Sequence, residues 1–312
     1  SEVARLLLQA GAEKDKARQN GATPLFAAAQ QGQVEVARPL LEFSADKEKA
    51  LADGTTPLSI AAQNGRLEVV RRLLQAGADK DKAKQNGATP VFIAAHNGQL
   101  EVVRLLLQAG AEKDKAEQNG ATPLFAAAQQ GQVEVARLLL EFSADKEKAF
   151  TDGATPLFIA AQYGRLEVVR LLLQAGADKD KAMQSRATPL FIAAQNGQLE
   201  VVRLLLQAGA DKDKAEQNGA TVLYMAAEKG HLEVASLLLE FSADKEKAFT
   251  DGATPLFIAA QNGRLEIVRL LLQAGADKDK AMQNGATPLF VAAENRHLEV
   301  ARLLQDRADQ PM

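Results

Sequence analysis

Three histidines, the doubled carboxylates of several loops and a scatter of hydroxyls are the residues of this 312-residue chain that could do chemistry. Imidazole titrates near neutral pH and is the commonest metal ligand. His96, His231 and His297, however, stand in separate stretches with no ligand spacing between them, and surface positions are expected for all three. The Asp-Lys-Asp-Lys loops, such as Asp211-Lys212-Asp213-Lys214, place two carboxylates two residues apart. A calcium loop needs more oxygen ligands and a bidentate Glu to close it, so alternating solvated charge is the expectation here. The absence of cysteine excludes disulfides and Cys-containing metal sites. Every candidate nucleophile, base or paired acid recurs at a fixed interval as part of one pattern, which is how structural residues behave. No catalytic, cofactor-binding or metal residue is assigned, no cofactor is expected, and an enzyme is the least favoured reading.

The interval itself is the stronger signal. Thr23, Thr56, Thr89, Thr122, Thr155, Thr188, Thr221, Thr254 and Thr287 are spaced by 33 residues, and all but Thr221 precede Pro. Such a ruler belongs to a stack of like units, because each must present the same face to the next. In the stretch from Asp251 to Gln283, Asp251-Gly252 signals a turn. Thr254 is placed as a helix N-cap, with Pro255 at the first helical position, where its missing N–H costs nothing. Gly263 ends that short helix in a left-handed conformation. A second helix is expected from about Leu265 to Gln273, with Leu265, Val268, Leu271 and Leu272 on one apolar stripe, and Gly275 stops it. Helices this short are marginal alone, so stacking must stabilise them.

The unit Asp251-Gly252-Ala253-Thr254-Pro255-Leu256 and the residues that follow it resemble the ankyrin repeat, and the likeness covers essentially the whole chain. The resemblance implies an all-α ankyrin-repeat solenoid, helix-turn-helix units joined by β-turns, that binds proteins through its loop tips and concave groove. The family's His after Thr-Pro-Leu is here Phe26, Phe92, Phe125, Phe158, Phe191, Phe257 and Phe290, with Ser59 and Tyr224 as exceptions. An apolar contact therefore replaces a side-chain hydrogen bond. The family's loop Val is Lys, as at Lys80 and Lys278.

One array is expected over residues 1–312: a partial N-terminal unit at 1–19, eight full repeats over 20–283 and a C-terminal capping unit at 284–312. At about 8–10 Å per layer, that is a curved rod on the order of 80–90 Å long. Gln305, Asp306 and Ala308 replace Leu272, Gln273 and Gly275 of the preceding unit, and the polar Gln305 and Asp306 suit a water-facing end. Leu6, Leu7 and Leu8 show no such change, which suggests that a unit or its first helix is missing upstream. Pro39 falls inside a second helix where most units have Leu, so it is expected to be the most exposed of its triplet and to bend the helix. A coarser period of 99 residues repeats the segment EFSADKEKA from Glu42, Glu141 and Glu240. Ser44, Ser143 and Ser242 there replace the helix-ending Gly, at a cost if φ is positive.

Aromatics make up 4% of the chain, and its 37 basic and 40 acidic residues are interspersed. A nucleic-acid binder needs Lys and Arg segregated on one face, so none is expected as a partner. No apolar run is long enough for a membrane span, and no signal peptide is visible.

Differences among the copies point to where a partner protein would bind. The most variable position lies just before each turn: Arg18, Leu51, Lys84, Glu117, Phe150, Met183, Glu216, Phe249 and Met282. The family likeness places this tip toward the partner, and apolar tips suggest a contact surface. A second ladder at the first-helix ends is polar, with His96, Tyr163, Glu228 and Lys229 standing out from its Gln and Asn residues. Interface anchors favour Trp, Tyr and Arg, which singles out Tyr163. The expectation is a non-catalytic, monomeric, cytoplasmic interaction scaffold. A structural spacer or an engineered consensus-like array is the alternative.

Overall fold

The computed structural model describes residues 2–306, and every regular element among them is an α-helix. Contacts divide the chain between Thr151 and Asp152 into two units. The first unit opens with helix Glu2–Gln9. Four pairs follow: Pro24–Gln31 with Val34–Glu42, Pro57–Gln63 with Leu67–Gln75, Pro90–His96 with Leu100–Gln108, and Pro123–Gln130 with Val133–Glu141. The second unit holds five pairs: Pro156–Gln162 with Leu166–Gln174, Pro189–Gln195 with Leu199–Gln207, Val222–Lys229 with Leu232–Glu240, Pro255–Gln261 with Leu265–Gln273, and Pro288–Glu294 with Leu298–Asp306. Within each unit, first helices pack on first helices and second helices on second helices.

Each first helix starts where the chemistry of Thr-Pro demands. The Thr23 hydroxyl accepts a hydrogen bond from the Phe26 N–H at 3.1 Å, and Thr221, which lacks the following Pro, accepts one from the Tyr224 N–H at 3.2 Å. Such a cap is worth about 1 kcal/mol. Ser59 adds the reciprocal bond: its hydroxyl accepts from the Thr56 N–H at 2.7 Å and closes a capping box. Phe26, Phe92, Phe125 and Phe158 are buried, as an apolar contact at this position requires. Small residues let the first helices approach closely, and Ala28, Ala29, Ala61, Ala62, Ala94 and Ala95 are at most 1% exposed. In the helix Leu265–Gln273, Val268, Leu271 and Leu272 are buried as expected, Leu265 is half-buried, and Ile267 joins the core.

The turn between paired helices also forms a joint between repeats. Gly263 has φ +65°, and a Cβ there would lie 2.6 Å from Nδ1 of His297 in the next repeat. Within each unit, residues before second helices lie across that glycine and reach back one repeat. Nε2 of His297 is 3.0 Å from the Gln261 carbonyl, and Nε2 of His231 is 3.0 Å from the Gln195 carbonyl. A carbonyl only accepts, so each imidazole donates. Arg66 and Gln99 make the equivalent bonds to the Gln30 and Gln63 carbonyls. His231 and His297 are therefore half-buried joint residues rather than free surface groups, while His96 is exposed.

The charged loops join repeats as well. Asp213 Oδ1 accepts from the Asp244 N–H at 2.8 Å, and Lys247 Nζ donates to the Asp213 carbonyl at 2.8 Å. Glu48 does the same for Asp79 and Lys82, and Asp180 for Asp211 and Lys214. The alternating charge expected to be merely solvated thus links neighbouring loops within each unit. Sequence alone cannot show this, because the partners are 31 and 34 residues apart and meet only when repeats stack.

Three local departures follow from single residues. Ser44, Ser143 and Ser242 take φ of 58°, 59° and 61°, a conformation that costs an L-residue about 1 kcal/mol relative to Gly. Pro39 is buried and its neighbour Leu41 is half-buried, contrary to the expected exposure, because Pro39 faces Leu6 and Arg5 of the preceding helix. The helix Val34–Glu42 runs through Pro39 unbroken. In the last pair Phe290 is 57% exposed although its equivalent Phe257 is 4% exposed, and Gln305 is exposed. Ala308 lies outside the described residues.

Candidate protein-binding surface

The loop preceding each first helix is a small hairpin. The Lys84 N–H donates to the Ala88 carbonyl and the Gly87 N–H to the Lys84 carbonyl, both at 2.9 Å. Successive hairpins are tied by main chain, with the Gln85 N–H bonded to the Asp53 carbonyl and the Gln118 N–H to the Asn86 carbonyl, both at 3.0 Å. This bonding fixes the tip residue at the corner between hairpin and helix instead of leaving it to project. Of the tip residues, Arg18 is exposed, and Leu51, Lys84, Glu117, Phe150, Met183, Glu216, Phe249 and Met282 are all half-buried.

The two apolar aromatic tips fold back onto first helices. Phe150 stacks on Phe125 with ring centroids 5.4 Å apart and planes inclined by 17°, and Phe249 stacks on Tyr224 at 5.4 Å and 21°. Such pairs contribute about 0.5–1.5 kcal/mol beyond burial. Leu51 approaches the preceding hairpin at Gly21, and the backbones of Met183 and Met282 underlie Gly153 and Gly252.

In the first unit these parts enclose a cleft of about 510 Å³. Its walls bring together four of the sequence candidates, Lys84, His96, Glu117 and Phe150, with Phe92, Phe125, Asn86, Asn119 and Gln129. Sequence comparison among the copies did not select Phe92, Phe125, Asn86 or Asn119, because positions that barely vary read as core or turn. The usable signal was the pairing of an aromatic tip with an aromatic residue 25 positions earlier.

The cleft's charges are positioned by hydrogen bonds. Asp53 accepts from the Thr55 hydroxyl at 2.7 Å and the Thr55 N–H at 2.9 Å, and Lys84 Nζ lies 2.9 Å away. The Thr55 hydroxyl first, and then Lys84, pull its carboxyl down to about 2. Glu117 accepts from Asn86 Nδ2 at 2.8 Å and Asn119 Nδ2 at 3.3 Å, yet burial holds its carboxyl above the usual range. The cleft therefore presents aromatic faces, one pinned cation and one desolvated carboxylate.

The other candidates lie elsewhere. Tyr163 caps the helix Pro156–Gln162 and is 48% exposed. Glu228 and Lys229 end the helix Val222–Lys229, with Lys229 Nζ 3.5 Å from Glu228 Oε1. Glu216 carries no ion pair among the described residues, and burial raises its carboxyl. Among the described residues no three His, Asp or Glu side chains are grouped to hold a metal ion, and no helix is long and apolar enough to cross a membrane.

Against known proteins, the model for ankyrin repeats in three copies matches residues 1–84, 44–116, 91–183, 143–216, 190–282 and 242–311. No curated protein sequence matches the chain. Ankyrin repeats are in general protein–protein interaction modules. Capped helix pairs, hairpin loops and repeat-to-repeat joints agree with a family match that runs along the whole sequence, and the chain belongs to the ankyrin-repeat family.

Proposed function

We propose that the chain is a non-catalytic scaffold that holds a protein partner on the surface formed by its hairpin tips and first helices. The first-unit cleft is the observation that carries this reading. It joins tip residues Lys84, Glu117 and Phe150 to the helix-end residue His96 around three phenylalanine rings. An apolar partner side chain has the Phe125–Phe150 face to rest on, beside the Lys84 ammonium and the Glu117 carboxylate.

Selection of displayed peptides against the intact protein tests this. Binders are expected to lose tenfold or more in affinity on Phe150→Ala, and to lose less on Tyr163→Ala. Binders indifferent to Phe150→Ala and Lys84→Met would move the surface elsewhere. A spacer role is the second reading, favoured by the side-chain bonds that close each repeat joint, and repeated failure to select any binder would support it.

A further inference from the structure

Lys84 and Glu117 both line the first-unit cleft, but only the lysine is neutralised within the protein. Lys84 Nζ lies 2.9 Å from Oδ2 of Asp53. Glu117 has no ion pair among the described residues, although Lys84 and His96 stand within its field. Its Oε1 accepts from Asn86 Nδ2 at 2.8 Å and its Oε2 from Asn119 Nδ2 at 3.3 Å. One amide comes from the preceding hairpin and the other from its own, so the carboxylate is oriented before any partner arrives.

The floor beside that carboxylate is apolar. Phe92, Ile93, Phe125 and Ala126, each at most 9% exposed, line the same cavity of about 510 Å³. Phe150 lines it too and stacks on Phe125 with ring centroids 5.4 Å apart. Burial in this setting works against the ionised form and holds the Glu117 carboxyl above its usual range. A carboxylate that has amide donors but no bonded cation, set against aromatic rings, is complementary to a positive charge brought from outside. Ring faces attract a cation as well.

We propose that the first-unit cleft takes a lysine side chain of the partner protein, with its ammonium against Glu117 and its methylene stem along Phe125 and Phe150. Lysine lays its stem on apolar surface and keeps its charged head among polar groups, which matches a phenylalanine floor with a carboxylate at its edge. The amides select lysine over arginine. Each Glu117 oxygen already takes one amide hydrogen, which interrupts the paired acceptors that a guanidinium fork uses, whereas an ammonium is a point charge with no such demand. This assignment rests on the reading of the cleft as a partner-binding surface and names the side chain that it selects.

Random peptides displayed and selected on the full chain, then sorted for loss of binding to Phe150→Ala, are the probes. They are expected to share a lysine. Replacing that lysine with norleucine, which keeps the stem and removes the charge, should weaken binding to the wild type by roughly tenfold or more. Against Glu117→Gln, with the circular dichroism of its helices unchanged, the lysine and norleucine forms should bind alike. Lys84→Met removes a cation from the cleft, so it should tighten the lysine peptides; weaker binding there would point to an anionic partner group and overturn the proposal. Three further results would overturn it and leave the scaffold reading standing: Phe150-dependent peptides that share no lysine, equal affinity of the lysine and norleucine forms for the wild type, or a norleucine loss that persists in Glu117→Gln. Failure to obtain any Phe150-dependent peptide would overturn both.

Discussion

The Phe125–Phe150 pair and the Tyr224–Phe249 pair share one backbone register and nearly one geometry, yet the polar and charged residues around them differ. Around the first, Lys84, His96 and Gln129 line the cleft with Glu117; around the second, Met183, Gln195 and Glu228 take the equivalent places, and Lys229 and Arg264 lie beside Glu228. Stacked rings at both places show that the aromatic platform is an architectural part of the repeat. The charged residues around it are what differ. A repeat fold can thus keep its packing constant while a few positions at the corner between hairpin and helix vary in charge.

The largest effects should fall on the shared platform. Phe125→Ala and Tyr224→Ala each remove a buried ring, and each should cost about 3–5 kcal/mol in urea unfolding followed by circular dichroism. A much smaller cost at one of them would break the equivalence of the pairs. Their half-buried partners come next: Phe150→Ala and Phe249→Ala should cost about 1–2 kcal/mol each by the same measurement. Values near zero would return these residues to free loop tips.

Tyr224→Phe should change stability by less than about 0.5 kcal/mol, because the hydroxyl it deletes makes no bond within the protein. It should matter at high pH. A phenol held near 12 when folded and near 10 when unfolded contributes stability below pH 10 that is lost as pH rises through 12. Unfolding midpoints followed from pH 9 to 12 should fall faster for the wild type than for Tyr224→Phe. The smallest effect is at Lys84→Met, which gives the first unit the residue of the second. Loss of the exposed pair with Asp53 should cost about 0.5 kcal/mol at neutral pH. The Asp53 carboxyl, held near 2, supports the fold above its ordinary range near 3.8 and loses that support as pH falls through 2. Lys84→Met should narrow that acid window, seen as an earlier loss of helix on acid titration.

The helices were legible in the sequence because their ends are written locally. Thr254-Pro255 starts one and Gly263 stops the turn after it, and the positive φ of Ser44, Ser143 and Ser242 was readable from the Gly they replace. The candidate surface was legible only in part. Lys84, Glu117 and Phe150 stood out by variation at the tip and His96 in the helix-end ladder, but their convergence on one cleft needs three stacked repeats. The joint roles of His231 and His297 were hidden for the same reason, since their acceptors lie 36 residues back. Pro39 misled because its burial depends on the neighbouring helix and not on its own stripe.

The loop carboxylates have a mechanical meaning. Asp180, Asp213 and Glu246 each hold the amide of the following loop, and the lysine three residues beyond that amide returns to the carbonyl of the same acid. A force that peels one repeat from its neighbour must break this two-point clasp at the rim as well as separate the helices. Because the clasp is ionic and lies near water, salt or acid should soften the seams between repeats while the helices stay intact. Under load, the chain would then lengthen in steps of one repeat.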